Sequence, residues 1–198
     1  MTVGILHDEL AIAWSSPATL EIGANQGLRP MIIPQQSWES HGADVDEYNW
    51  IRQQRGWGPI QPSVHSVVFC SEDEEEIAKA RELYLPQYGD AVLRHYRFDD
   101  AAQYQAKGYE YYGQHSDEFS KMVATLGEDY GVWGTPEQCV ETIDNIIAAT
   151  GASDFVGIFR YGEMPLDMAE ESMKLFAEKV LPVIHSRETS ARPAAARA

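Results

Sequence analysis

The sequence predicts an α/β fold built on a parallel sheet, and three observations carry that reading. Four short apolar runs stand out: residues 10–14, 30–34, 64–70 and 154–159. The runs are mostly continuous rather than alternating, as strands covered on both faces are. Capped helical patterns fall between them, so strands and helices alternate as in βαβ units.

Taken in order, the first run, "LAIAW", ends at Trp14 and leads into Ser15-Ser16-Pro17. A helix follows in "SPATLEIGANQG". Ser16 stands at its cap, Pro17 takes the first helical position, where its missing donor costs nothing, and Gly27 stops it. The second run is "PMIIP". The next helical pattern, "DVDEYNWIRQQRG", spans 44–56 and closes at Gly56. After the third run, "VHSVVFC", comes "SEDEEEIAKARELYL", with Ser71 and Glu74 at capping-box spacing. Its acids, Glu72 to Glu76, read as a solvated helix start rather than a metal site.

A long segment, about 88–133, separates the third and fourth runs and holds "RHYRFDD", "KGYEYYG" and "YGVWG". Connections of this length are functional covers or loops with some helix of their own. "GTPEQCVETIDNIIAATG" is the clearest helix. Thr135 caps it, Pro136 follows and Gln138 completes the capping box. Val140, Ile143, Ile146 and Ile147 form its apolar stripe, and Gly151 ends it. The fourth run, "DFVGIF", precedes a last helix from about Pro165 to Val180, with Met168, Leu175, Phe176 and Val180 inward. The pattern makes one domain over 1–185, with the insertion at about 88–133. The small, basic, proline-containing tail, 186–198, has the composition of disorder.

Composition bounds the function. The chain has 198 residues, enough for one core, with 31 acidic against 15 basic residues and a net charge of −16. Nucleic acid and anionic membrane reward basic patches, so neither is expected as a partner. No run approaches the roughly 18 apolar residues of a membrane helix, and no basic leader precedes an apolar run, so the expected location is the cytoplasm. Cys70 and Cys139 are far apart in sequence and show neither a disulfide framework nor zinc spacing; they read as small buried hydrophobes. No metal site is expected. His65 lies inside a strand, as packed histidines do, and His95 has no acid–base partner at useful spacing. No Ser-His-Asp set, HExxH, GxGxxG or P-loop is present.

The Ser15-Ser16-Pro17 corner supports two readings from the same atoms. Ser16 serves as a helix cap, or the corner cradles an anion. A helix N-terminus offers unpaired N–H groups and a positive dipole end. Thr19, three residues past Ser16, can turn its hydroxyl to the same side.

The ordered set "IAWSSPATLEIGANQG", "RHYRFDD", "KGYEYYG", "GTPEQCVETIDNIIAATGASDFVGIFRYGEMP" and "ESMKLFAEKVLPVI" resembles the C-terminal half of the bacterial-luciferase-like flavin-dependent monooxygenases. The likeness runs from about Leu10 to Ile184. It implies half of a (β/α)8 TIM barrel, with the four runs as strands five to eight. Four strands are too few to close such a barrel, which takes eight and typically about 250 residues. The resemblance implies an oxidoreductase that uses reduced FMN and O2 on an unknown organic substrate. A deazaflavin-dependent reductase is an alternative, as are a non-catalytic flavin- or phosphate-binding relic and an inactive fragment. Ser15, Ser16 and Thr19 match the family's flavin-phosphate turn. Gln35 and Gln36, after the second run, would face the flavin mouth or form an exposed loop pair. Arg160 and Tyr161 end the last strand, where Arg160 would meet an anionic substrate group or make a surface ion pair. Tyr109, Tyr111, Tyr112, Tyr130 and Trp133 line a substrate cover or pack the insertion. The catalytic residues would lie in an N-terminal half with no counterpart here. A flavin reductase would supply reduced flavin, and a second copy or a complementary half-barrel would close the ring.

Overall fold

The computed structural model describes residues 10–14, 16–97, 100, 102, 105, 114, 115, 121 and 130–187. Ser15, Tyr109, Tyr111, Tyr112 and the tail beyond Arg187 lie outside the described residues. The elements run β1 (Ala11–Ala13), α1 (Pro17–Asn25), β2 (Arg29–Ile32), α2 (Trp38–Gln54) and β3 (Ser63–Cys70). Then come α3 (Glu74–Lys79), a π-helical turn (Ala80–Tyr84), α4 (Leu85–Tyr96) and β4 (Val132–Gly134). The chain closes with α5 (Pro136–Thr150), β5 (Asp154–Ile158), α6 (Leu166–Lys179) and α7 (Leu181–His185). β1 pairs β2, β2 pairs β3 and β3 pairs β4, all parallel, and β5 also pairs β3. Among the described residues no helix is long and apolar enough to cross a membrane.

Two compact units divide the described residues. One is drawn from Met1–Ser66, Ile143–Val156 and Arg187–Ala198, the other from Val67–Thr142 and Gly157–Ser186. In the first unit, Ala13 pairs Met31 and Ile32 pairs Val64, with α1 and α2 packed on each other. Leu20, Ala24, Ile32, Val45, Tyr48 and Val64 are among its buried side chains. In the second, Val68, Phe69 and Cys70 pair Val132, Trp133 and Gly134. Phe69, Ala80, Tyr84, Tyr161, Met164 and Ala169 form its core. Both cysteines are buried and free. Cys70 N–H is held by the Ser172 hydroxyl at 2.8 Å.

Four features depart from the sequence pattern. α3 is capped by Asp73 rather than Ser71, the Asp73 carboxylate accepting Glu75 N–H at 2.8 Å. β4 is a fifth strand inside the segment read as a connection, and at three residues it is too short to show a period. α2 starts at Trp38, six residues ahead of the expected Asp44, because Ser37 caps it by accepting Ser40 N–H at 3.2 Å. Gly42, a poor helix former, hides that first turn from a propensity reading. The helix expected to end near Leu85 continues to Tyr96 through Pro86. The π turn explains the passage: Leu85 N–H bonds back to the Ala80 carbonyl, and the wider turn takes up the proline.

Gly23 sets how closely α1 sits on its neighbours. A Cβ there would lie 2.7 Å from Ile12 Cγ2 and 2.8 Å from Tyr48 Oη. Tyr48 cannot easily yield, since its hydroxyl donates to the Leu28 carbonyl at 2.9 Å and its ring stacks on Trp14 at 5.4 Å. Gly27, at φ +75°, then turns the chain into β2, with Leu28 N–H bonded to the Gly23 carbonyl at 3.1 Å. We expect Gly23→Ala to lower stability by about 1–3 kcal/mol, the usual cost of overpacking. Urea unfolding should show a lower midpoint with an unchanged slope.

Candidate functional site: an anion-binding corner and its polar support

The corner forms where β1 ends and α1 begins. Ser16 has extended backbone (φ −142°, ψ 151°), and its Oγ accepts Thr19 N–H at 3.3 Å. Ser16 Oγ and Thr19 Oγ1 lie 3.0 Å apart, so one hydroxyl donates to the other. Ser16 therefore does cap the helix. The donor count shows what is left. Pro17 has no N–H, Thr19 N–H is spent on Ser16 Oγ, and Leu20 N–H bonds the Ser16 carbonyl at 3.1 Å. Ala18 N–H has no acceptor among the described residues. Of the two hydroxyl hydrogens, one is used between Ser16 and Thr19 and the other remains to donate. An amide, a hydroxyl and a helix dipole converge at one end, which is the donor chemistry an anion requires. The first turn of α1 holds no acid, whereas α2, α5 and α6 begin with Glu39, Glu137 and Asp167. Capping and anion binding are thus compatible here.

The loop after β2 is held by α2. Gln35 N–H donates to His41 Nε2 at 3.2 Å, and Gln36 Nε2 donates to Asp44 Oδ2 at 2.6 Å. The Trp14 ring stacks on Tyr48 at 5.4 Å, so the end of β1 packs on the same helix. Burial raises the Asp44 carboxyl, against Gln36 and Trp14, which lower it, and Glu47 adds to the rise. His41 is buried, and its Nδ1 has no partner among the described residues. Desolvation lowers its pKa from 6.5 to about 4, so the ring is neutral at pH 7. His41 and Asp44 are invisible as site residues in the sequence. Their partners, Gln35, Gln36 and Trp14, fix them, and no local motif marks that arrangement.

Arg160 and Tyr161 belong to the second unit. Arg160 Nε donates to the Met164 carbonyl at 3.2 Å. Tyr161 is buried with its ring edge-on to Trp133 (5.7 Å) and Tyr88 (6.4 Å), and its hydroxyl has no partner among the described residues. Burial pushes that phenol well above the ordinary tyrosine range. Trp133 also lines a cavity of about 440 Å³ with Ile77, Arg81, Thr135, Gln138 and Glu141. His65 is half-buried, 3.5 Å from the Ser63 hydroxyl, and burial lowers its pKa; His95 lies against Tyr96 on an exposed helix end. Among the described residues no cluster of His, Cys, Asp or Glu is placed to hold a metal ion.

The luciferase-like monooxygenase family model matches residues 8–154. The alkanal monooxygenase alpha chain of Photorhabdus luminescens is 29% identical over 188 residues, covering 87% of this chain and 50% of that protein. Two solved structures share the fold. One is the oxygenating constituent of 3,6-diketocamphane monooxygenase from Pseudomonas putida, in complex with FMN (TM-score 0.56, 18% identity). It covers 88% of this chain and 48% of that one. The other is the coenzyme F420-dependent tetrahydromethanopterin reductase of Methanopyrus kandleri (TM-score 0.55, 15% identity, 87% and 50% covered). The chain spans about half the length of the proteins it matches, and its fold is that of half a luciferase-like (β/α)8 barrel.

The His41 environment has a measurable consequence for stability. The unfolded imidazole titrates near 6.5 and the folded one near 4, so the unfolded chain binds more protons between those values. This contribution to stability is complete above about pH 6.5 and is lost as pH falls toward 4, by about 3 kcal/mol in all. Urea midpoints of the wild type and His41→Gln, compared from pH 7 to 4.5, should converge as pH falls.

Proposed function

The chain belongs to the luciferase-like monooxygenase family, and from that premise we propose that it is a flavin-dependent oxidoreductase. It holds the phosphate of reduced FMN at the Ser16 corner and directs O2 onto an organic substrate. The carrying observation is a pair of donors at the start of α1, Ala18 N–H and one hydroxyl hydrogen of Ser16 or Thr19, that have no acceptor among the described residues. In a chain of net charge −16, a bound dianion needs local donors and a helix end free of acids, and the corner offers both. The bound flavin supplies the electrons for oxygen chemistry.

The protein's share is positioning. Ser16 shapes the helix end and Thr19 faces the anion, while Ser15 enters the proposal by its place in the sequence alone. Gln35, fixed through its own N–H by His41, lies on the loop after the neighbouring strand, where it meets the flavin. In the second unit, taken by itself, Arg160 and Tyr161 are the residues proposed for substrate, and the Tyr161 phenol has no acceptor among the described residues. The named neighbours use FMN in one case and F420 in the other; both cofactors carry phosphate, so the corner suits either. FMN is the reading preferred here, because the monooxygenase among these neighbours, the 3,6-diketocamphane enzyme, is the one in complex with FMN. Reaction in the cytoplasm, with a separate flavin reductase as electron source, completes the proposal.

The same reading includes a partner for the sheet. Leu10 and Ile33, beside β1 and β2, are 53% and 44% exposed, and β1 pairs on one side only among the described strands. A complementary half-barrel or a second copy would cover that edge.

Quenching of flavin fluorescence tests the cofactor assignment. Thr19→Val keeps the Ser16 cap but removes one hydroxyl. A hydrogen bond to a charged group contributes about 1.5–3 kcal/mol, so FMN should bind about 10- to 100-fold more weakly while riboflavin is unaffected. F420 titrated in parallel ranks the two cofactors. No binding of either cofactor, or equal FMN affinity in wild type and variant, contradicts the assignment.

A further inference from the structure

His41 is a buried donor with nothing to donate to. Its residue exposure is 4%, and Nδ1 has no partner among the described residues. The ring's protonation pattern is set by a neighbour. Gln35 N–H points at Nε2 from 3.2 Å, so Nε2 must present its lone pair, and the single proton of the neutral ring sits on Nδ1. Burial keeps the ring in that neutral form. A buried N–H without an acceptor is costly, and protein structures rarely leave one unmet.

Its surroundings say what should meet it. β1 and β2 run parallel with Ala13 opposite Met31, so the residues after both strands emerge at the same end. Ser16 and Thr19 follow β1; Gln35 and the start of α2 follow β2. Trp14, at the end of β1, stacks on Tyr48 of α2. Asp44 stands one turn beyond His41 and bonds Gln36 on the same loop. A carboxylate there disfavours a second anion, and a neutral imidazole offers an N–H without positive charge. The pair therefore suits an uncharged oxygen, while the phosphate charge is met at the start of α1.

We propose that His41 is a ligand-binding residue whose Nδ1–H donates to an uncharged oxygen, a hydroxyl or ring carbonyl, of the phosphate ester seated at the Ser16 corner. This assignment rests on the proposed flavin-phosphate reading of that corner. It makes Gln35 a positioning residue: its backbone N–H selects the tautomer, and its side chain is left for other contacts.

The test is nitrogen NMR of the full chain labelled with ¹⁵N at histidine and backbone, titrated separately with FMN, riboflavin and inorganic phosphate. In the free protein His41 should show a protonated Nδ1 and an unprotonated Nε2. FMN should shift both the Ala18 amide and His41 Nδ1. Riboflavin should shift His41, and phosphate should shift Ala18 alone. His41→Phe should weaken FMN binding about tenfold, the loss expected for one neutral hydrogen bond, with the Ala18 shift at saturation retained. If FMN moves Ala18 but leaves His41 still, the His41 assignment is overturned and the cofactor reading stands. If inorganic phosphate moves His41, the donor serves an anion and the uncharged-oxygen assignment is wrong. If FMN moves neither group, the cofactor reading fails and this inference fails with it.

Discussion

Everything proposed for this chain depends on where one helix begins. α1 is placed by a close approach: Gly23 lets its backbone come within side-chain contact of Ile12 on β1 and Tyr48 on α2. Tyr48 is pinned in turn by the Leu28 carbonyl and the Trp14 ring. That packing fixes the far end of the helix, and with it the amide of Ala18 and the hydroxyls of Ser16 and Thr19. The cap geometry then decides how many donors remain. Ser16 spends its acceptor capacity on Thr19 N–H, so capping removes one amide from the anion site but leaves a hydroxyl hydrogen in exchange. A cap and a cradle are the same atoms used on two sides.

The second layer of the site works against the chain's overall charge. With twice as many acids as bases, the proposed reading meets a negative cofactor with neutral dipoles: backbone amides, hydroxyls and a histidine held neutral by burial. Asp44 is the exception, half-buried and held by Gln36 on the loop after β2. The charged groups that do pair, such as Arg29 with Asp154 or Arg187 with Asp144, lie on the surface, where ion pairs contribute little.

Much of the scaffold was legible because its boundaries are chemical. Ser16-Pro17 and Thr135-Pro136 announce helix starts, Gly27 and Gly151 announce ends, and the apolar runs at 10–14, 64–70 and 154–159 contain β1, most of β3 and β5. What escaped notice lacked a period. β4 is three residues; the first turn of α2 is masked by Gly42; the π turn before Pro86 has no sequence signature. The site divides along the same line. Ser16 and Thr19 are readable because three-residue spacing is local to one helix turn. His41 and Asp44 are not, because their meaning comes from strand pairing that brings residues after β1 and β2 to one end. Gln35, expected to face the flavin mouth, makes its hydrogen bond to His41 through its backbone N–H.

The account is tested most directly by a crystal structure of the chain soaked with riboflavin 5′-phosphate. The phosphate is predicted to lie within hydrogen-bonding distance of Ala18 N–H and the Thr19 hydroxyl, with Ser16 still capping α1. A phosphate bound elsewhere, with that corner closed by protein atoms, would contradict it.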